Sequence, residues 1–454
     1  MNKNKTILIL LPILALVVLI GGWSILKPKS CVSDGTRVCL SDKSGTFAIE
    51  DGAKIVIEVP TQAYGEALLA LFSSKHTDKK EVLSFVVAPS KADPLLDLSY
   101  LTQNEAALRY ATLLPIEKTL SDAWKKNLQW DKSSELNTDG LRFIPMSGSG
   151  FSFIYDATVL TRLGVDLSDT DRDGLPDAID TVQKVTAIAN KYLAEDKSRN
   201  YTSVFPVQFN EILTFYPLLT TGGWTLFPDD IATGSGFDTP EFLKALQTIA
   251  DLGASETVKT ANVDRTKLVW QFDQVLTGNE FLFSMASDWM FVEAFEKRTN
   301  HDVRRARFPS FDAAIPAPLL NVAGYVVNTA KYQSAISEVL RLIRSDEGLS
   351  AFAKTSSATL LADPSILNVL VFDVEKQKDL ALSYVHSTSV PLVALKGNPA
   401  VLGFSMYRQL NFLPLVKQVF LGEISAKEAQ KVIAGLAEDW VDANHGYPAE
   451  AVTK

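Results

Sequence analysis

From Thr6 to Leu26 no charged side chain interrupts an apolar run. As a helix rising about 1.5 Å per residue it would extend roughly 31 Å, enough for the hydrocarbon core of a bilayer. Lys3 and Lys5 precede the run, Lys27 and Lys29 follow it, and Trp23 stands where an interfacial aromatic would. The run exceeds the apolar stretch of a cleaved signal peptide, and no small-x-small cleavage site follows it. Pro28-Lys29-Ser30 ahead of Cys31 is equally unsuited to lipid attachment. The pattern predicts a retained anchor over residues 1–26, in the cell membrane, with the folded bulk on its extracytoplasmic side; a cleaved signal segment is the alternative.

Beyond a polar, Gly/Ser-rich stretch at 27–52, the periodicity alternates between two and 3.6 residues. Strands are predicted at Lys54–Val59, Glu81–Ala88, Leu95–Leu98, Phe281–Met285 and Val322–Val327. A further extended segment runs from Leu141 through Tyr155. Helical spacing marks Tyr64–Lys75, Asn104–Leu114, Thr181–Tyr192, Asn210–Thr220, Pro240–Leu252, Asp288–Lys297 and Gln333–Arg344. Phe404–Asn444 is helical with an interruption near Gly422, and 446–454 reads as a frayed tail. Alternating elements of these lengths predict an α/β protein with a largely parallel sheet, and 454 residues are too many for one core.

Composition narrows the function. The chain is 46% hydrophobic and 21% charged with a net charge of −9, so no basic field for nucleic acid exists and an exported acidic surface fits. Cys31 and Cys39 are the two cysteines, and outside the membrane they could close a disulfide hairpin; two free thiols is the alternative. The four histidines are spread through the chain without zinc-ligand spacing.

One motif carries chemistry at short range: Asp169-Thr-Asp171-Arg-Asp173-Gly174-Leu175-Pro-Asp177-Ala-Ile-Asp180. Its carboxylates fall at positions 1, 3, 5, 9 and 12 of a calcium loop, with glycine at 6 and the Leu175 carbonyl at 7. Hard oxygen donors at this density favour a structural Ca²⁺. An acidic surface turn is the plain alternative.

Longer-range signals then fall in a recognisable order. Asp139-Gly-Leu-Arg-Phe-Ile-Pro with Phe153-Ile-Tyr-Asp-Ala-Thr-Val-Leu, Phe215 to the Gly222-Gly223 turn, Phe272 to Trp289, Val322 to Asn328 with the following helix, and Val419 to Ala429 together resemble the extracellular solute-binding proteins of ABC importers, of the maltose-binding type. The resemblance covers about residues 53–444. It implies a two-lobe, type II periplasmic-binding-protein-like α/β fold, here preceded by one transmembrane helix. Lobe 1 would comprise 53–158 and 305–360; lobe 2 would comprise 159–304 and 361–445, with 169–180 as an insertion. It further implies a monomer that holds a small solute, expected to be a sugar, in a hinged cleft and hands it to an ABC permease. Asp288 stands where that family more often has Gly or Pro before Trp289, and Ser149 where the maltose type has a carboxylate.

Sugar rings present apolar faces to aromatics and hydroxyls to fixed polar groups. The expected cleft residues are therefore Trp289, Trp224, Tyr216 and Tyr325, with Asp97, Ser149 and Glu211 as polar partners; core packing is the competing role for each aromatic. No nucleophile elbow, phosphate loop or His-Glu-x-x-His occurs, so binding without catalysis is expected. A calcium-stiffened surface adhesin and a carbohydrate-active enzyme are the rival readings.

Overall fold

The computed structural model describes residues 38–39, 46–87, 96–124, 140–195, 212–226, 235–255, 276, 278–288, 290, 292–312, 314–356, 358–372, 375–389, 406–407 and 409–443. The anchor over 1–26, Cys31, Glu211, Trp289 and the tail lie outside the described residues. Among the described residues no helix is long and apolar enough to cross a membrane.

The chain opens with β1 (Ile55–Val59), α1 (Gln62–Lys75), β2 (Leu83–Val87), β3 (Leu98–Thr102), α2 (Gln103–Leu108) and α3 (Lys118–Trp124). The long strand β4 (Phe143–Asp156) leads through α4 (Ala157–Arg162), α5 (Val182–Glu195), α6 (Ile212–Leu219) and α7 (Pro240–Ala254) to β5 (Phe283–Ser287). There follow α8 (Val292–Thr299), β6 (Val303–Ala306), β7 (Leu319–Val327), α9 (Gln333–Ile343) and α10 (Asp346–Thr355). The last elements are β8 (Thr359–Leu360), α11 (Pro364–Leu367), α12 (Glu375–Ser383), β9 (Thr388–Ser389), α13 (Leu413–Phe420) and α14 (Ala426–Ala443). Helix starts follow local chemistry: Thr61, Thr239 and Ser345 each accept from a first-turn N–H, and Thr102 with Glu105 closes a capping box.

The sheet runs β2-β1-β3-β7-β4-β5, with β6 and β8 also on β4 and β9 on β7. It is not the largely parallel sheet that the alternation of elements predicts. β1 pairs in parallel with β2 and β3, but β7 returns antiparallel between β3 and β4, and β5, β6 and β8 all run antiparallel to β4. The register of β4 on β7 slips between Pro145 and Ser147, as a proline without a ladder N–H requires. Gly324 faces this point, where a Cβ would stand 1.9 Å from the Ile144 carbonyl oxygen, so only glycine admits the close approach.

Two large apolar cores flank the sheet. The first gathers β1, β3, α1, α9 and α10 around Tyr64, Phe72, Ile144 and Phe352. The second gathers α5, α6, α7, α13 and α14 around Phe153, Trp224, Phe242 and Phe412. β4 serves both, with Ile144 and Met146 in the first and Phe151, Phe153 and Tyr155 in the second. The lobe boundaries expected from sequence therefore need correction: Leu367, Leu370, Ala381 and Leu382 of 361–445 pack in the first core, whereas Ala306, Phe308 and Leu319 of 305–360 pack in the second. These segments pass from one core to the other, which a division by sequence order cannot express.

The stretch 27–52 is also not all stalk. Phe47 and Glu50 are buried in the first core. Glu50 accepts from the Ser334 and Ala335 N–H groups, 2.7 and 2.8 Å away, at the otherwise unsatisfied start of α9. Cys39 N–H donates to Ser334 Oγ at 2.7 Å. Cys39 carries no free thiol; Cys31, its expected partner, lies outside the described residues. Glu338, one helical turn further along α9, accepts from Phe47 N–H (3.0 Å) and from Arg341 (2.8 and 2.7 Å), and meets His76 Nε2 at 2.8 Å. Burial alone would raise the Glu338 pKa, but Arg341, the Phe47 N–H and His76 outweigh it and hold it below its usual 4.5. A carboxyl depressed in the native state adds stability that is present above the unfolded pKa and fades as pH falls through the native one. Glu338→Gln should therefore cost about 1–3 kcal/mol at pH 7 in denaturant melts. The gap to wild type should narrow below pH 4.5; a gap constant with pH would rule out this origin.

Candidate functional site

Along β4, Ser149 is the one residue that is not buried. It lies where the strand leaves β7 and β8 for β5 and β6: Gly150 is the last residue paired to β7 and Phe151 the first paired to β5. Ser149 Oγ donates to Asp288 Oδ1 at 3.0 Å, just past the end of β5. On the neighbouring residue, Gly150 N–H donates to Tyr384 Oη (3.2 Å), which in turn donates to the Gly150 carbonyl (2.8 Å). Arg305 of β6 reaches the same region, donating to Ser152 Oγ and Ala286 O at 3.1 Å each and to Ser287 O at 2.9 Å. On the first-core side Tyr100 Oη and Ser147 Oγ share a hydrogen bond.

Electrostatics set these groups apart from the surface. Burial raises the Asp288 carboxyl, opposed by the Ser149 hydrogen bond and by Arg305. Burial likewise lowers Arg305, with Tyr384 and Asp288 opposing. The junction thus offers a carboxyl, a guanidinium and hydroxyls held in place, the equipment for hydrogen-bonding a polar solute. Ser149 donates to an acid rather than to a histidine, so it is not held as the nucleophile of a Ser-His pair. Sequence reasoning missed Asp288, Arg305 and Tyr384 as site residues; the departure from Gly or Pro at Asp288 was the signal available.

Of the expected cleft residues, Ser149 alone is placed at this junction. Trp224, expected in the cleft, is instead a core residue: its ring packs against Tyr216, Phe237, Phe242 and Tyr407, and its Nε1 donates to Gly236 O at 2.8 Å. Tyr216 is buried beside it. Tyr325 is buried in the first core, edge-on to Tyr100. Asp97 braces the sheet from below, Oδ2 accepting from Val56 N–H at 2.8 Å while its backbone bonds to Val56 and Asn328. The alternation of aromatic and glycine that marked these residues is equally the pattern of a core. Two cavities, of about 520 Å³ between α5 and α7 and about 610 Å³ beside Ile116 and Gln333, lie away from the junction.

In the acidic loop, Asp169, Asp171 and Asp177 come together, with carboxylate oxygens within 4.8 Å of one another. The other two carboxylates are engaged elsewhere: Asp173 pairs with Arg307 (Nε 2.6 Å) and Asp180 with Lys184 (2.9 Å). The Leu175 side chain is buried in the second core, and its N–H donates to Asp173 Oδ1 at 3.0 Å. Gly174 adopts φ +88, which the turn needs. Three clustered hard oxygens fit part of a Ca²⁺ shell of six to eight ligands, not the whole expected set.

The fold decides what the molecule resembles. It is that of the extracellular solute-binding proteins. A cyclic α-maltosyl-1,6-maltose binding protein from Arthrobacter globiformis matches with a TM-score of 0.57 at 13% identity, over 85% of this chain and 97% of its own. An extracellular solute-binding protein from Staphylococcus aureus, solved with maltose, matches with a TM-score of 0.62 at 12% identity, over 87% and 100%. No family model and no curated protein matches the sequence.

Because burial raises the native pKa of Asp288, its ionised form costs stability above that pKa, and the cost is relieved as pH falls through it. Asp288→Asn keeps an acceptor for Ser149 without the charge. Its unfolding midpoint at pH 7 should match or exceed that of the parent, and the two should converge on acidification. A lower midpoint at pH 7 would show that the charge stabilises the junction.

Proposed function

We propose that this protein captures a small polar solute, a carbohydrate or a close relative, between its two lobes on the extracytoplasmic side of a membrane. The observation that carries the reading is the β4 crossing: one strand shared by two cores, with its one residue that is not buried, Ser149, held against Asp288 at the junction. Its support is the fold shared with two sugar-binding proteins. The captured solute is handed to an ABC permease, and the apolar run at the N-terminus tethers the receptor. Closure of the lobes around solute excludes water, as in other hinged binding proteins. Trp289, next in the chain after Asp288, is the stacking residue we assign to the second lobe.

Thermal shift across a panel of neutral and acidic saccharides tests this reading. A solute at 100 times its Kd raises stability by about 2.7 kcal/mol. Trp289→Ala should weaken that solute by about 1–3 kcal/mol of lost apolar contact and leave the unliganded midpoint near that of the parent. Silence across the panel, or a collapsed midpoint with unchanged affinity, would overturn the assignment.

A second proposal concerns the acidic loop. We assign Asp169, Asp171 and Asp177 to a structural Ca²⁺ that neutralises their mutual repulsion and fixes the turn on which Leu175 enters the second core. At affinities of about 10⁻⁴–10⁻³ M, usual for extracellular modules, millimolar calcium should raise the unfolding midpoint and a chelator reverse the gain. Asp171→Asn should remove the difference between the two conditions. Calorimetry without calcium heat at millimolar concentration would refute the site.

A further inference from the structure

Three buried polar atoms in the first core meet no other hydrogen-bonding group among the described residues beyond the mutual contact of two tyrosine hydroxyls: the hydroxyls of Tyr64 and Tyr325, which face each other, and Nε of Arg344. They share one neighbourhood. Phe352 packs edge-on to Tyr64 with ring centroids 5.0 Å apart, and Tyr100 bridges to both sides, 6.4 Å from Phe352 and 5.2 Å from Tyr325. Tyr64 and Tyr325 are close enough to influence each other's ionisation, and Arg344 acts on Tyr64. Nη1 of Arg344 lies 3.9 Å from the Met146 sulfur, a weak acceptor, in the residue before Ser147.

Strand directions point this group toward the crossing without reaching it. β7 starts beside Gly150 and ends beside Leu98, so α9, which follows it, returns along the sheet and brings Arg344 beside Met146, three residues before Ser149. α1 begins at the end of β1, which runs parallel to β3 toward the same side. The Arg344 side chain is half-buried, with its Nε fully enclosed.

Each available polar atom here can donate, and a guanidinium can only donate. No carboxylate among the described residues pairs with Arg344; burial pushes its pKa down to about 10, with Tyr64 alone opposing, so it stays charged at neutral pH. A cation enclosed without a counter-charge is costly unless something supplies one. Arg305, nearby, is different: its donors end on carbonyls and a serine hydroxyl.

We propose that Arg344, with the hydroxyls of Tyr64 and Tyr325, is an anion-recognition site in the wall of the first lobe. The guest is an oxyanion, and the guanidinium fork suits a carboxylate or a phosphate. Carried by the captured solute, it makes that solute an acidic saccharide, and this source rests on the solute-capture reading. Supplied as a free inorganic anion, it does not.

The full-length protein is titrated with inorganic phosphate, with digalacturonate and with maltose at constant ionic strength, following heat of binding and unfolding midpoint. At least one anion should bind and stabilise. Arg344→Met should weaken it about tenfold or more, since hydrogen bonds to a charged group are lost. Tyr325→Phe and Tyr64→Phe, which remove only a hydroxyl, should each weaken it several-fold and keep the fold testable should Arg344→Met misfold. Digalacturonate without phosphate assigns the anion to the solute, and phosphate in an Arg344-dependent manner assigns it to a free ion. No anion bound at millimolar concentration, or anion binding unchanged in all three variants, overturns the site. Maltose binding with no anion response overturns the site and leaves saccharide capture standing; anion binding with no saccharide response does the reverse.

Discussion

Strand β4 has to satisfy two cores with one backbone. At about 3.4 Å per residue its 14 residues extend roughly 48 Å, far longer than an ordinary strand, and neither half could be moved without the other. Its first half needs β7 and β8 as ladder partners, its second half β5 and β6. The glycines at 148 and 150 let it pass Leu320 and Leu361 at the changeover; a Cβ at Gly150 would stand 2.4 Å from a Leu320 methyl. With little side chain there to fill space, Tyr384 locks the backbone by bonding to both the N–H and the carbonyl of Gly150. The other lobe-to-lobe passages follow from this crossing, because β6–β7 and α12–β9 must return along it.

That constraint also explains what could be read in the sequence. Strands whose pattern is local, such as Ile55–Val59 and Phe283–Ser287, and helices with clear caps, such as Pro240–Ala254, stand within a few residues of expectation. The course of β4 was visible as an extended segment from Leu141 to Tyr155. The antiparallel return of β7 was not, because strand direction is set by the crossing and leaves no local mark. β6, β8 and β9, of four, two and two residues, are held by their neighbours rather than by their own pattern. The place of Ser149 on the long extended segment was legible through the order of motifs, though its bond to Asp288 was not. The aromatics were not separable from core: a tryptophan beside two glycines reads identically whether it faces a cleft or, like Trp224, four other rings.

The N-terminal segment shows the opposite failure, where polar composition concealed a packed role. Glu50 and Glu338 are both buried, each paired with backbone N–H groups across more than 280 residues of sequence. Such pairs have no periodicity to betray them. Their effect is to tie 38–39 and 46–50 onto α9, within the first core.

The acidic loop lies on the seam between the two. Leu175 enters the second core, while Gly174 faces Leu382, a first-core residue on α12, so closely that a Cβ would stand 3.0 Å away. Asp173 meanwhile holds Arg307, just beyond β6. His386, after α12, feels both of those charges, and burial with Arg307 lowers its pKa. A loop that touched one core alone could be ordered or loosened without consequence for the rest. This one touches Arg307, just beyond β6, and Leu382 of α12, so it joins residues that pack on both cores.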